Sequence, residues 1–501
     1  MSKSHEHSIS MNEKMDDYVD DPNFIATNLM SNHNIAPLYK KLLEKLEDKD
    51  DEIISCQDLD HQESKVVNPK IQRVPTILRK NKHLEKYFEP RWISIGPIHH
   101  QKPHLQHQTQ YKLALAAKFI KGSGSKTEVL YNKIEKKFKE LKKCFDENYV
   151  KCYDDDTLCW MLFFDGCSML QLINSYNNDE LRVLKIKTDQ IALAQQDLFM
   201  LENQIPFSIL KILMESCSEE RCEDLKVSIK EFIRYNVMAP QKYKKSLQIE
   251  IDGNPEPVHL LELLRSVILQ HPRKNHRSCS GCLGFRKTKI DFTTNDNDPG
   301  QQSFRSVQDL KAAGIDFKPS ETCSLRDITF TSLCFAGWLR LPPLTVDDTT
   351  GPRFLNLIAY EMCPDNIDTN YEVTSYICFL DSLIDYPADV KELRASHILY
   401  NLLGCDKDVA HLFNGIATDL VASPVYMNVI NQIQNHYKSK WRTWMAQVYH
   451  DHFSSPWTIV AFLAAVLALL MSGVQTWFSY EGSGGDTKSA TGPTSSPPPP
   501  N

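Results

Sequence analysis

Four carboxylates stand inside apolar runs of this chain: Asp165 in LFFDGC, Glu202 in FMLENQIPF, Glu361 in LIAYEMC and Asp381 in CFLDSLI. Carboxylates are seldom fully buried unless paired. Two readings follow. In the first, a pair of them acts as general acid and base, one raised in pKa by burial. In the second, they are hydrogen-bonded structural anchors that cap helix ends or pair with Arg73, Arg79 or Arg326. No nucleophile or phosphate-binding loop accompanies them, as a reaction would require, so the anchor reading is preferred. Two further groups carry metal-ligand residue types. His99, His100, His104 and His107 are close in sequence, but Pro97 and Pro103 interrupt the helical spacing a shared metal would need. Cys279-Ser-Gly-Cys282, preceded by His271 and His276, is a single CxxC, and structural zinc takes two such pairs or a matched histidine pair. Neither supports a metal, and no cofactor is expected. No dinucleotide, P-loop, metalloprotease or nucleophile-elbow pattern is present, so no catalytic residue is assigned.

The elements that must position these residues are mostly helical. Leu130, Ile134, Phe138, Leu141 and Phe145 recur at three- and four-residue spacing, with Lys133, Lys136, Lys137, Lys139 and Lys142 on the solvated face. Residues 157–173, TLCWMLFFDGCSMLQLI, are apolar all round, as a central core helix would be. A second such run spans 197–214, with Pro206 marking a kink or a new start. Earlier, four prolines between Pro75 and Pro103 make that stretch extended or looped, and Ile93 and Ile95 alternate as in a short strand or half-buried segment. Asp327–Phe330 and Gly337–Leu344 read as a β-hairpin. Helical patterning returns over 354–384 and 390–413, and a last amphipathic helix is expected over 425–449, with Trp441 and Trp444 near its end.

One stretch sets the topology. Trp457 to Phe478, WTIVAFLAAVLALLMSGVQTWF, carries no charge. At 1.5 Å per residue it makes a helix of roughly 33 Å, enough to cross a hydrocarbon core of about 30 Å. Trp457 opens the run, Phe462 and Leu467 lie within it, and Trp477 and Phe478 close it, an arrangement that suits aromatic belts at both interfaces. The N-terminal flank holds Lys438, Lys440 and Arg442, against Glu481, Asp486 and Lys488 beyond the run, which by the positive-inside bias puts the body in the cytosol. The polar N-terminus does not read as a secretory leader, and no Asn-x-Ser/Thr occurs in the 501 residues. Fourteen scattered cysteines, several in apolar runs, fit a reducing compartment. A net charge of −7 argues against a nucleic-acid partner.

These readings divide the chain into a weakly patterned, partly disordered N-terminal region at 1–67, a globular domain at 68–455, a transmembrane helix at 456–478 and a disordered Ser/Gly/Pro tail at 479–501. Apolar density falls over 216–305, which reads as a variable segment within the domain. The fold class expected is mainly α, with a small β-hairpin and one C-terminal transmembrane helix.

Several blocks then bear on family. Val74-Pro75 with Leu78-Arg79, Ser94-Ile95-Gly96-Pro97 with His99-His100, Asp165-Gly166-Cys167, Glu202-Asn203-Gln204-Ile205-Pro206-Phe207 and His259-Leu260-Leu261 follow one another in order. They continue with Leu341-Pro342-Pro343-Leu344, Asn356 through Glu361, and Pro456-Trp457. Together they resemble the plant domain-of-unknown-function family 247, from about Ile71 to Tyr480. The resemblance implies a plant protein with a terminal membrane helix and no established activity, and some grass members are implicated in self-incompatibility. Gln101 and His107-Gln108 depart from the family's usual residues. The function expected is membrane-anchored recognition of another protein, with 1–67 and 216–305 as the specificity surface; the alternative is an enzyme using the buried carboxylates on a small or lipid substrate.

Overall fold

The computed structural model describes residues 71–176, 181, 186–253, 255–271, 306–333, 336–364, 370–438 and 456–483. The N-terminal region 1–67, the CxxC at Cys279 and Cys282, His276, Trp441, Trp444 and the tail beyond 483 lie outside these residues.

The protein is mainly α-helical with small sheets. After a first turn α1 (Thr76–Arg79), the chain runs extended to a 3-10 turn at Pro103–Gln108 and then enters α2 (Thr109–Ser123), α3 (Thr127–Lys142) and the short α4 (Glu147–Val150). The all-apolar run becomes α5 (Asp155–Tyr176), whose residues are buried from Thr157 to Ser175 with the sole exception of Trp160. A helix without a polar face must be covered on every side, and α2, α3, α7 (Phe207–Met214) and α8 (Glu219–Asn236) pack around it. At Gly166 the approach of α7 leaves no room for a β-carbon, which would lie 2.7 Å from Ile209 Cγ2 and 2.8 Å from Leu213 Cδ1.

In the run at 197–214, Pro206 marks a new helix start rather than a kink. Helix α6 (Thr188–Asp197) ends at Asp197, residues 198–206 form a non-helical crossing, and α7 starts directly after Pro206. Proline fixes its own φ and lacks an N–H, so it suits the residue before a helix better than its middle. The segment at 216–305 contains more core than its composition suggests. Helix α8 buries Leu225, Ile229, Phe232 and Ile233, and after the short α9 (Gln241–Lys244), α10 (Leu260–Ile268) buries Leu260, Leu261, Leu263, Leu264, Val267 and Ile268.

Beyond α11 (Val307–Ala312) the expected hairpin is present as β2 (Thr329–Leu333) antiparallel to β3 (Ala336–Leu341), with Phe330 opposite Leu339. Strand β1 (Ile315–Pro319) joins the other edge of β3 in parallel, giving the order β1-β3-β2. A second, two-stranded parallel sheet pairs β4 (Leu344–Val346) with β5 (Leu399–Asn401). Strand β5 interrupts the helical pattern expected over 390–413, between α14 (Pro387–Ala395) and α15 (Asp406–Ala417). Likewise, α12 (Thr350–Glu361) and α13 (Glu372–Leu383) are separate helices. Helix α16 (Met427–Lys438) leads toward α17, which spans Pro456–Ser483 and so continues past Phe478 into the expected tail.

Candidate functional site

Asp165, Glu202 and His99 meet beneath the extended stretch 71–100. That stretch pairs with almost no other backbone: Ile71 bridges Phe145, and nothing resembling a strand forms at Ile93 and Ile95, although both are buried. Buried N–H groups must nevertheless be satisfied, and side chains from the helical core do it. Asp197 Oδ2 accepts from the N–H groups of Trp92 (2.7 Å) and Ile93 (2.9 Å), and its Oδ1 from Arg91 N (3.0 Å). Asn203 Oδ1 accepts from Ile95 N (2.7 Å) while its amide donates to Ile93 O (3.0 Å). Asp165 Oδ2 accepts from Gly96 N (2.7 Å). Lys112, itself buried, pairs with Asp165 and donates to Ser94 O at 2.9 Å. From the other side Asn356 accepts from Leu201 N (2.8 Å) and donates to Tyr87 O (2.9 Å).

Glu202 closes the far end of this arrangement. Its Oε1 accepts from Val74 N (2.8 Å) and Arg79 Nε (3.2 Å); Oε2 receives Arg79 Nη2 and lies 3.1 Å from His99 Nε2. Burial alone would push this carboxyl up, but the bonds from His99 and Arg79 outweigh it and hold it below the ordinary range. Burial also pulls His99 below its usual value despite the facing carboxylate. Asp165 moves the other way: burial raises it against the opposing pull of Lys112 and the Gly96 N–H. Asp197 is raised by burial to about 6, the three N–H groups opposing.

Glu361 is a second anchor, away from the first. It accepts from Arg265 Nε (2.9 Å) and Nη2 (2.6 Å), from Val373 N (3.0 Å), Thr374 N (2.9 Å) and Thr374 Oγ1 (2.8 Å). It thereby satisfies the N-terminus of α13 from the end of α12, as an N-cap side chain would. Asp381 departs from the expectation. It is half-buried, near Asp385, and among the described residues takes up no backbone N–H. With its amide oriented to donate, Asn414 reaches Asp381 Oδ1 at 3.3 Å. A run of apolar neighbours does not bury a residue that falls on the helix's outer edge.

Of the expected arginine partners, Arg79 meets Glu202, Arg326 meets Glu372 at 2.6 Å, and Arg73 lies over the Tyr149 ring at 4.8 Å. His104 Nε2 lies 3.2 Å from Pro90 O, and His100 stands edge-on to Tyr153. Among the described residues no three His, Cys, Asp or Glu come together as metal ligands. Lys112, Asp197, Asn203, Gln204, Asn356 and the buried Asp389 were not singled out by sequence reasoning. Asn203 and Gln204 had a usable signal, being polar residues in an apolar run beside Glu202; a lysine amid alanines and leucines gives none.

The cavity beside this region is small, about 10 Å³, and is lined by Ile93, Ser94, His100, Leu105, Gln108, Thr109 and Lys112. That is room for one water at most. Ser94 Oγ and Gln108 Oε1 are buried without a protein partner there, and a single water would serve both.

Another buried histidine supplies a pH prediction. His259 caps α10, its Nδ1 accepting from Glu262 N at 3.1 Å, and burial pulls it down to about 3. In the unfolded chain it titrates near 6.5. Below that pH the unfolded state takes up a proton that the folded state refuses. The stabilisation is thus complete above pH 6.5 and is lost as pH falls toward the folded value. At pH 5 the loss is about 2 kcal/mol. His259→Asn keeps a capping acceptor, and should shrink the stability difference between pH 7.5 and pH 5 by about that amount in urea melts. An unchanged difference would show that His259 is not the group responsible.

A helical body with side-chain-stapled extended segments and one terminal apolar helix defines the class of protein. The chain belongs to the plant family DUF247, plant protein of unknown function, whose model matches residues 71–471. It is similar to an uncharacterised UPF0481 protein of Arabidopsis thaliana, 27% identical over 413 residues, covering 78% of this chain and 82% of the relative. A putative UPF0481 protein of the same plant is 23% identical over 497 residues, covering 83% of this chain and 91% of the relative. No solved structure matches.

Proposed function

We propose that this protein is a membrane-anchored recognition protein that binds another protein through the outer surface of its helical body. The observation that carries the membrane part is α17. Val460–Phe478 is long and apolar enough to cross a membrane, and none of that window is buried against the body. Phe462, Leu467, Trp477 and Phe478 are each more than half exposed; Trp457 lies in the helix's first turn. A water-soluble surface does not leave so large an apolar area bare. The body in this reading faces the cytosol, and a role in self-incompatibility is one specialised form of it.

The recognition part is supported by how the polar core is used. Asp165, Glu202 and Glu361 each spend their acceptors on backbone N–H groups and cations. The alternative, an enzyme using these carboxylates, draws on the His99–Glu202 contact. Both side chains are almost fully buried, at 2% and 0% exposure, so a substrate has no route to them. Nucleic acid is not a partner in this reading, and no cofactor is invoked.

Deleting residues 457–478 tests the anchor: the protein should move from the membrane pellet to the soluble fraction on cell fractionation. Proximity labelling from the intact and deleted forms should then return different neighbours. If both location and neighbours were unchanged, the membrane-recognition reading would fail. Cys152 and Cys405 are exposed on the body. On intact cells an impermeant thiol reagent should leave them unlabelled; labelling would place the body outside.

A further inference from the structure

Among the described residues, Arg353 is a buried cation with no carboxylate in salt-bridge contact. It lies in the first turn of α12, 6% exposed. Arg79, Arg265 and Arg326 by contrast each meet a glutamate, Glu202, Glu361 and Glu372 respectively. Arg353 instead donates from Nη2 to the neutral Asn236 Oδ1 (2.6 Å), and its Nε has no partner. Asp347, the carboxylate whose charge acts on Arg353, is already committed to Thr349 N (2.9 Å), Thr349 Oγ1 (2.6 Å) and Thr350 Oγ1 (3.0 Å). Burying an unpaired charge costs several kcal/mol, and the N-terminus of a helix is an unfavourable place for a cation and a favourable one for an anion.

A second cation stands nearby. Lys244 in α9 is half-buried, donates to Tyr235 O at 2.5 Å and lies 5.5 Å from the centre of the Tyr235 ring. Burial, then the charge of Arg353, pull its amine down to about 8. The surroundings are rich in hydrogen-bonding groups. Tyr176 and Tyr235 meet with ring centres 5.4 Å apart, Tyr176 donates to Gln195 Oε1 (3.2 Å), and Gln195 Nε2 donates to Asn236 Oδ1 (2.6 Å). Tyr235 is 57% exposed, so the cluster reaches solvent there, while Arg353 is buried.

We infer that Arg353 and Lys244 hold a compact oxyanion of the phosphate class, with Arg353 supplying the buried charge and Lys244 the half-buried one. The site is separate from the anchors beneath residues 71–100 and does not depend on the recognition reading.

The test uses the full-length protein in detergent, titrated with inorganic phosphate against chloride at matched ionic strength, with thermal unfolding as readout. Phosphate should raise the melting temperature saturably where chloride does not. Lys244→Gln, at a half-buried position on the short α9, should raise the half-saturating phosphate concentration about tenfold, the loss of one charge-assisted hydrogen bond. Arg353→Met should abolish the response. Since Asn236 Oδ1 keeps its bond from Gln195, this variant should melt no lower than the unsubstituted protein in phosphate-free buffer, because a well-packed apolar side chain replaces an unpaired ion. A wild-type protein indifferent to phosphate overturns the inference, as does a phosphate response retained by Arg353→Met. If Arg353→Met fails to fold, Lys244→Gln decides: an unchanged half-saturating concentration overturns it.

Discussion

Replacing Glu202 with Gln should destabilise the protein by about 3 kcal/mol, the low end of what breaking a buried ion pair costs. The substitution preserves shape, so packing is not at issue. The amide oxygen can still accept from Val74 N and Arg79 Nε, as Oε1 does. The new NH₂ group, however, replaces the oxygen that accepts from Arg79 Nη2, and so sets donor against donor there. Arg79 is about a quarter exposed and can swing toward water, which places the cost at the low end of the range. A pH signature follows. Because Glu202 is held below the ordinary carboxylate range, its contribution is complete above the unfolded value near 4.3 and is lost as pH falls through the lower folded one. Urea unfolding at pH 7 measures the loss directly. Lys142→Gln serves as a control, since its pair with Asp155 is exposed and should cost under about 0.5 kcal/mol. If Glu202→Gln and the control were equally mild, Glu202 would not be an anchor, and a functional account of its burial would be needed.

The helical frame was readable because it rests on short-range periodicity. The α3 stripe and the all-apolar α5 follow from residue spacing alone, and the hairpin from apolar alternation in its two strands. What was not readable depends on partners distant in sequence. Strand β1 pairs with β3 only after the chain has made β2 between them, and β5 pairs with β4 some fifty residues earlier. Three of the four carboxylates were recognisable as buried because a charge inside an apolar run is costly unless something compensates it. Asp381 shows the limit of that rule, since a run does not say which side of the helix a residue faces. The compensating groups were the least legible part. Lys112 lies in a helix where lysine is ordinarily exposed, and Asp197 sits at a helix end where aspartate is unremarkable. Their roles appear only when residues 91–96 are laid across them.

The same geometry explains why acidic residues in this core need not announce catalysis. A reacting carboxylate keeps at least one oxygen free for substrate and a path to reach it. Here the oxygens are spent holding one backbone segment to another. An extended segment stapled by side chains has no strand partner to fix its register, so its alignment depends on a few discrete contacts. That makes it unusually sensitive to single substitutions at those contacts.

Gly96→Ala should be the clearest case. Gly96 has φ +76°, in the left-handed region where an added β-carbon costs roughly 1–2 kcal/mol by itself. Its N–H is the one that Asp165 accepts. A β-carbon at this position would also lie 2.5 Å from the backbone oxygen of Gln204, well inside contact distance, with the Ile205 side chain behind. Backbone cannot yield as a side-chain tip would, because Gln204 is pinned by its own amide donating to Leu198 O and Met200 O, each at 2.8 Å. The strain must therefore displace residues 94–97 or 202–205, and either movement breaks the Asp165 or Asn203 clasp. The total should exceed about 3 kcal/mol, combining backbone strain with a lost buried hydrogen bond. Gly124 provides the comparison. Its φ is +69°, yet nothing lies within 4 Å of where its β-carbon would be, so Gly124→Ala should cost only the conformational part, about 1 kcal/mol. Urea unfolding of the two variants side by side separates the causes. Equal losses would mean that left-handed backbone alone matters and that the contact between residues 96 and 204 carries no weight. A larger loss at Gly96 would locate the tolerance limit of this fold in the close crossing of its two polar segments.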